Sequence, residues 1–262
     1  MIQKKSLGQH FLTDKNIARK IVRESGVTIQ DEVWEIGPGK GILTECLLEK
    51  CKTLTIFEID RQWIEYLERH FDNSNLNIIH ADILAVDLSD YYHGEQIKIV
   101  ANLPYQITSP LLFKIIDFRK FFLSITVMIQ DEVADRLCAV PGNKDYGKLS
   151  VKAQLFFNVT KCFTVPAYVF YPPPKVTSAV VQLSPRKESY HIKDQELLWN
   201  VIDTVFAHRR KMLRKSLKNM LDDNELEAMK ITTNIELTRR PESLSIEEFI
   251  ALSHQIKEIK GL

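Results

Sequence analysis

Residues 102–105, "NLPY", leave the end of an apolar run and immediately present an amide, a proline-fixed turn and an aromatic ring. An ordinary strand-to-helix connection more often uses Gly, Asp or Ser. The amide of Asn102 and the backbone carbonyl of Leu103 can accept hydrogen bonds from an exocyclic amine, while Tyr105 can stack on the ring carrying it and Pro104 fixes the turn between them. Such an amine is a poor nucleophile because its lone pair is delocalised into the base. Accepting both of its N–H bonds draws the nitrogen towards sp3, and the lone pair can then attack an electrophilic methyl in line. That reaction needs positioning more than a general base. A second ring, Phe170 in "FYPPPKV", sits in a proline-stiffened loop and can face the other side of the base, since enzymes that act on a base clamp it between apolar faces. Spacing alone favours a buried Phe in a rigid connector; the partnership with Tyr105 is what points to the clamp.

The methyl donor has its own signature. "EIGPGKG" (35–41) ends one apolar run and opens a helical pattern, with Gly37, Gly39 and Gly41 letting a ligand approach the backbone. The G-x-G-x-G spacing is not the G-x-G-x-x-G that cradles a dinucleotide pyrophosphate. Glu58 ends the next strand-like run, 21 residues after Gly37, where an acid can accept both ribose hydroxyls. Asp82, in "HADI" with Ile83, ends the third run and can accept a hydrogen bond from an adenine amine. Each acid singly suits a helix cap or a turn. The ordered set describes an adenosine ligand without a pyrophosphate, which is S-adenosylmethionine.

These residues need strand ends to hold them. Residues 32–37, 53–60, 76–80, 97–101 and 121–130 read as strands, alternating with helical patterns at 40–50, 61–71 and 109–118. Ser109 and Pro110 are expected as N-cap and first-turn proline of the last of these. The alternation predicts an α/β, Rossmann-like fold, a parallel sheet with helices on both faces. Residues 131–139 and 147–157 look helical, and 159–166 and 178–185 look like two further strands around the proline loop. From about residue 187 only helical patterns occur, so two domains are expected, 1–187 and a helical 188–262. The latter includes one long helical pattern running through "HRRKMLRKSLK" (208–218).

Composition is that of a soluble globular chain, with 45% apolar and 26% charged residues in 262. There is no 18-residue apolar run and no apolar segment behind the basic start, so neither membrane span nor signal peptide is expected, and the location implied is cytoplasmic. The four cysteines lack metal-binding spacing, and no metal site is expected. Net charge is only +1, yet cations cluster. Residues 1–23 carry Lys4, Lys5, Lys15, Arg19, Lys20 and Arg23 against Asp14 alone, and 208–218 carries Arg209, Arg210, Lys211, Arg214, Lys215 and Lys218 with no acid. Such clusters are either phosphate-binding surfaces or solvated helix faces.

"GQHFL", "EIGPGKGILT", "EID", "ADIL", "NLPYQITSP" and "FYPPPKVTSAVV", in this order, resemble the blocks of the rRNA adenine N6,N6-dimethyltransferases, and the likeness runs the length of the chain. Within that family the chain is most similar to the bacterial small-subunit branch, linked to kasugamycin sensitivity. The resemblance implies dimethylation of two adjacent adenosines in the terminal hairpin of 16S rRNA, within the small ribosomal subunit or its precursor. It also implies that His10 and Leu12 join Gly37, Glu58, Asp82 and Asn102 around the cofactor. Many relatives carry Asn where this chain has His10 and Gln106. The large-subunit macrolide-resistance methyltransferases share the catalytic blocks, and "HRRKMLRKSLK" favours the small-subunit branch over them. A non-catalytic RNA-binding relative is opposed by the complete set at 102–105, and a dinucleotide oxidoreductase by the glycine spacing. Nothing asks for an oligomer, so a monomer is expected.

Overall fold

The computed structural model describes residues 10–262, so Gly8 and Gln9 of the "GQHFL" block and the cations Lys4 and Lys5 lie outside the described residues. The chain divides into two compact units: residues up to Ala134 with Phe157–Arg186, and Asp135–Phe156 with Lys187–Leu262.

The first unit is built on a seven-stranded sheet. Its first five strands are β2 (Glu32–Ile36), β3 (Thr53–Glu58), β4 (Leu76–His80), β5 (Ile97–Asn102) and β6 (Phe122–Gln130), following the short β1 (Phe11–Leu12) in chain order. β7 (Phe157–Val165), the short β8 (Phe170–Tyr171) and β9 (Ser178–Pro185) come later. The sheet order is β4-β3-β2-β5-β6-β9-β7, parallel from β4 to β6. The five strands expected to be parallel are so, and of the two later strands β9 runs antiparallel to both β6 and β7. The connection from β7 to β9 (166–177) holds no α-helix to carry the chain across the sheet, and β9 returns beside β7 in the antiparallel sense.

Alternation along the strands gives each face its own packing. Val33, Leu54, Ile56 and Val100 join Ala18, Ile21 and Val22 of α1 (Lys15–Ser25) and Leu43 and Leu47 of α2 (Ile42–Leu48). The next residues along, Trp34 and Phe57, point the other way and meet edge to face at 5.1 Å, with Phe122 at 5.8 Å from Trp34. Burying the rings and aliphatic chains of both faces drives the fold, at about 25 cal/mol per Å2 of apolar surface. α3 (Arg61–His70) starts on an Asp60 cap that accepts Gln62 N–H. α4 (Thr108–Asp117) begins at Thr108 with Ile107 as its cap residue, so Ser109 is not the N-cap; the Thr108 hydroxyl instead donates back to Pro104 O at 3.2 Å, drawing the helix start towards the "NLPY" turn. Pro110 does fall in the first turn.

The second unit departs from the sequence boundary. Residues 135–156 pack in it rather than in the strand-bearing unit: Val151 of α6 (Lys148–Gln154) shares a core with Leu198, Val201 and Val205 of α7 (Gln195–Phe206). Lys152 of α6 seals the packing through Asp203 at 2.9 Å and the ring of Trp199 at 4.8 Å. α5 (Asp131–Cys138) carries the chain from the one unit into the other. The long basic helix is also corrected. α7 stops at Phe206, a turn covers 207–212, and α8 (Leu213–Leu217) is a short separate helix. The amides of Leu213 and Arg214 donate to the carbonyls of Arg239 and Leu237 at 2.9 and 3.0 Å, and these bonds draw the chain away from a continued helix. α9 (Asp223–Thr233) and α10 (Ile246–Lys260) complete the unit, each opening on a capping box.

Candidate active site

A cavity of about 290 Å3 opens at the carboxyl ends of β2, β3, β4 and β5, where parallel sheets bind their ligands. The sequence-marked cofactor residues line it except Gly41: His10 just before β1 and Leu12 in it, Gly37 and Gly39 after β2, Glu58 at the end of β3, Asp82 and Ile83 after β4, and Asn102 at the end of β5. Gly41 instead faces Phe71 and Leu67, where a Cβ would lie 2.6 Å from the Phe71 ring. The glycine turn is held against the sheet by Gly37 N–H donating to Phe57 O at 2.9 Å. Gly39 has φ +54°, and a Cβ there would lie 2.8 Å from the ring of Phe11. Only glycine lets the turn pass beneath β1, which roofs the cavity at this point.

Glu58 is buried, and its Oε1 accepts the amides of Ile59 and Asp60, both at 2.9 Å, while Oε2 accepts Gly39 N–H at 3.4 Å. These bonds fix the carboxylate at the cavity wall and tie the β3 end to the glycine turn. Burial raises its pKa, against the lowering effect of the three amides. Asp82 is exposed at the rim, with Oδ1 accepting Leu84 N–H at 2.9 Å.

Sequence reasoning missed Glu35. It is only 1% exposed, lines the same cavity, and accepts the Thr44 hydroxyl at 2.7 Å. Burial, with the charge of Glu58 nearby, pushes its carboxyl up to about 8. The signal was present, as the first residue of "EIGPGKG", but its parity within β2 did not reveal that it faces a cavity. Ile59 was also missed, a half-exposed apolar side chain on the cavity wall after Glu58.

The transfer residues divide. Asn102 and Pro104 line the cavity. Asn102 Nδ2 donates to His10 O at 3.4 Å, which leaves Oδ1 as the end of the amide able to accept from a substrate. Leu103 has a buried side chain and donates its N–H to Met128 O at 3.1 Å, extending the ladder so that the turn is rigid where it leaves the sheet. Tyr105 is half-buried, its hydroxyl 2.7 Å from Ser178 Oγ and its ring 5.6 Å from that of His10. Phe170 does not line the cavity. It is 3% exposed and belongs to the core with Leu12 and Val180, pairing through β8 with Leu12 of β1. The proline loop is nevertheless tied to the site, since His10 Nδ1 donates to Pro172 O at 2.7 Å.

The walls fit S-adenosylmethionine on chemistry. A cationic ligand would meet the exposed acid Asp82, a hydroxyl-bearing sugar the fixed carboxyl of Glu58, and a flat base Ile59 and Ile83, while burial holds the Glu35 carboxyl beside them neutral. Among the described residues no cluster suits a metal ion.

The basic segment of the second unit is used differently from its sequence appearance. Arg209 donates to the carbonyls of Lys144 and Tyr146 at 2.6 and 2.7 Å, Arg214 pairs with Asp223 at 3.4 Å and Glu227 at 3.1 Å, and Lys218 pairs with Asp223 at 2.9 Å. Arg210, Lys211 and Lys215 are exposed and enter no ion pair among the described residues.

Sheet order, glycine turn and acidic strand ends together define a Rossmann-like methyltransferase that uses S-adenosylmethionine. The ribosomal RNA adenine dimethylase model matches residues 2–258, and this chain belongs to that family. It is 42% identical to the ribosomal RNA small subunit methyltransferase A of Flavobacterium johnsoniae, over 97% of this chain and 95% of that one. The protein of the same name from Shouchella clausii is 43% identical over 95% and 88%. Among solved structures, a dimethyladenosine transferase from Plasmodium falciparum superposes with a TM-score of 0.79 at 28% identity, covering 96% of this chain and 98% of that one. The 23S rRNA methyltransferase ErmE, at 23% identity and a TM-score of 0.70, shares the fold. Among the described residues no helix is long and apolar enough to cross a membrane.

Proposed function

We propose that this enzyme converts two adjacent adenosines in the 3′-terminal hairpin of 16S rRNA to N6,N6-dimethyladenosine, acting on the small ribosomal subunit or its precursor. The carrying observation is that Asn102, with its Oδ1 left to accept by the His10 hydrogen bond, stands on the same cavity as Glu58 and Asp82. Near 40% identity over almost the full length to proteins named for the small subunit supports that target over the large one.

S-adenosylmethionine bound in the cavity supplies an electrophilic methyl on a sulfonium. Glu58 accepts the ribose hydroxyls, Asp82 the adenine amine, and Ile59 and Ile83 flank the ring. Asn102 Oδ1 and the Leu103 carbonyl accept the two N–H bonds of the target amine and hold its lone pair towards the methyl. Tyr105 stacks on the target base, and Pro104 keeps it next to Asn102. Phe170 supports this wall from the core beneath the loop. The methylated nitrogen is strongly acidic and loses its proton after transfer, so no side chain is required as a base. Positioning of this kind supplies much of a barrier reduction. Arg210, Lys211 and Lys215 are the phosphate-binding cations of the helical unit.

The test supplies purified enzyme and labelled S-adenosylmethionine to unmethylated small and large subunits separately. Label is expected on small-subunit rRNA alone. Label on the large subunit would instead assign the enzyme to the macrolide-resistance type of activity.

A further inference from the structure

We propose that Ser178 is a positioning residue for methyl transfer: its hydroxyl sets the plane of the Tyr105 ring against the target base. This rests on the assignment of Tyr105 to the base-binding wall. Tyr105 stands in the irregular segment between β5 and α4, where nothing in the secondary structure fixes a side chain. Ser178 is the opposite kind of residue. It is fully buried and opens β9, where its backbone is paired on one side with Gln130 of β6 and on the other with Val165 of β7. The preceding Thr177 carbonyl accepts Asp131 N–H at 3.0 Å, so the strand end is pinned on this side as well.

A fully buried hydroxyl ordinarily bonds the backbone near it, as that of Ser25 does with Val22 O. The Ser178 hydroxyl meets the Tyr105 hydroxyl instead, 73 residues away in sequence, at 2.7 Å. The far end of the ring is thereby fastened to the sheet, while its near end is fastened by the backbone turn and its side faces the His10 ring at 5.6 Å. Three fixed points define a plane. His10 is in turn bonded to Pro172 O, so the loop preceding Ser178 and the "NLPY" turn are joined twice. A ring held in advance does not have to be ordered when the base arrives, and preorganisation of that kind appears in the rate more than in cofactor affinity.

Transfer of labelled methyl to unmethylated small subunits is compared for wild type, Ser178→Ala, Tyr105→Phe, the double variant and Tyr105→Ala. Ser178→Ala and Tyr105→Phe are each expected to lower kcat about fivefold, the worth of one hydrogen bond, with the KM for S-adenosylmethionine unchanged. The double variant should be no slower than the slower single variant, since both remove the same bond. Tyr105→Ala should lose far more. Wild-type kcat in Ser178→Ala, or losses that multiply in the double variant, would overturn the proposal while a strong Tyr105→Ala defect left the base-wall assignment standing. Full activity in Tyr105→Ala would remove that assignment itself, and the proposal with it. Should Ser178→Ala not fold, Tyr105→Phe decides alone: a fivefold loss supports the bond, and wild-type kcat overturns it.

Discussion

At the carboxyl ends of β2 to β5, the sequence-marked cofactor residues meet around one cavity, whereas in residues 208–218 three of six marked cations are taken up by carbonyls and carboxylates of their own unit. The difference comes from what fixes each set. Residues at the ends of adjacent parallel strands are brought side by side by the sheet ladder, so a motif on each strand suffices to predict convergence. Cations in a surface segment are placed by which helix face they occupy, and a run of charge does not reveal which of them the fold consumes.

The contrast between the two regions is sharpest at Asn102. Replacing it with Ala is expected to lower methyl transfer by about a hundredfold or more, the scale for losing a preorganised polar group at a reacting centre, while calorimetry shows cofactor affinity within a few-fold. Equal losses in both would make Asn102 a cofactor residue only. Glu58→Ala should raise the Kd for S-adenosylmethionine about ten- to a hundredfold, since hydrogen bonds to a charged group are each worth roughly 1.5–3 kcal/mol. An unchanged Kd would take the ribose away from β3.

In the basic segment the fold predicts a division. Neutralising Arg210, Lys211 and Lys215 together should weaken RNA binding and flatten its salt dependence, the log–log slope falling by about one for each phosphate that no longer meets a cation, with thermal stability unchanged. Arg209→Ala should leave the slope alone and cost about 1 kcal/mol of stability, read in a urea melt, because its two carbonyl acceptors lose their donor. The reverse pattern would return Arg209 to the RNA and dismiss the other three.

A pH-dependent effect on stability concerns Glu35. Its carboxyl titrates near the usual carboxylate range when unfolded and near 8 when folded, so between those values the unfolded chain holds fewer protons and stability falls as pH rises. Glu35→Gln keeps an acceptor for Thr44 and removes the titration. It should be more stable than wild type at pH 8, with the advantage vanishing towards pH 4.5. An advantage independent of pH would mean that burial does not hold Glu35 protonated.

Much of this was legible in the residues themselves. The five parallel strands follow from β-branched runs separated by helical periodicity, and "EIGPGKG", Glu58, Asp82 and "NLPY" could be placed at strand ends from their spacing. The rest depends on tertiary choices that local pattern does not encode. Glu35 looks like any mid-strand polar residue until the cavity beside it exists. Residues 135–156 join the second unit because Val151 and Lys152 find Val201 and Asp203 there, about 50 residues further along the chain. α7 ends at Phe206 because carbonyls at 237 and 239 capture the amides of Leu213 and Arg214. The two-residue strands β1 and β8 are too short to show any period, yet their pairing brings His10 and Leu12 to the cavity.

The proposed reaction presents an adenine N6 amine, twice over, to a methyl donor held at the strand ends. The most direct test is nucleoside analysis by mass spectrometry of small-subunit rRNA treated with wild type or Asn102→Ala and stopped when wild type has just reached completion. N6,N6-dimethyladenosine at two neighbouring positions with wild type, and unmodified adenosine with the variant, is the predicted result. Methylation of a ribose hydroxyl or of another base, or full dimethylation by Asn102→Ala, would contradict it.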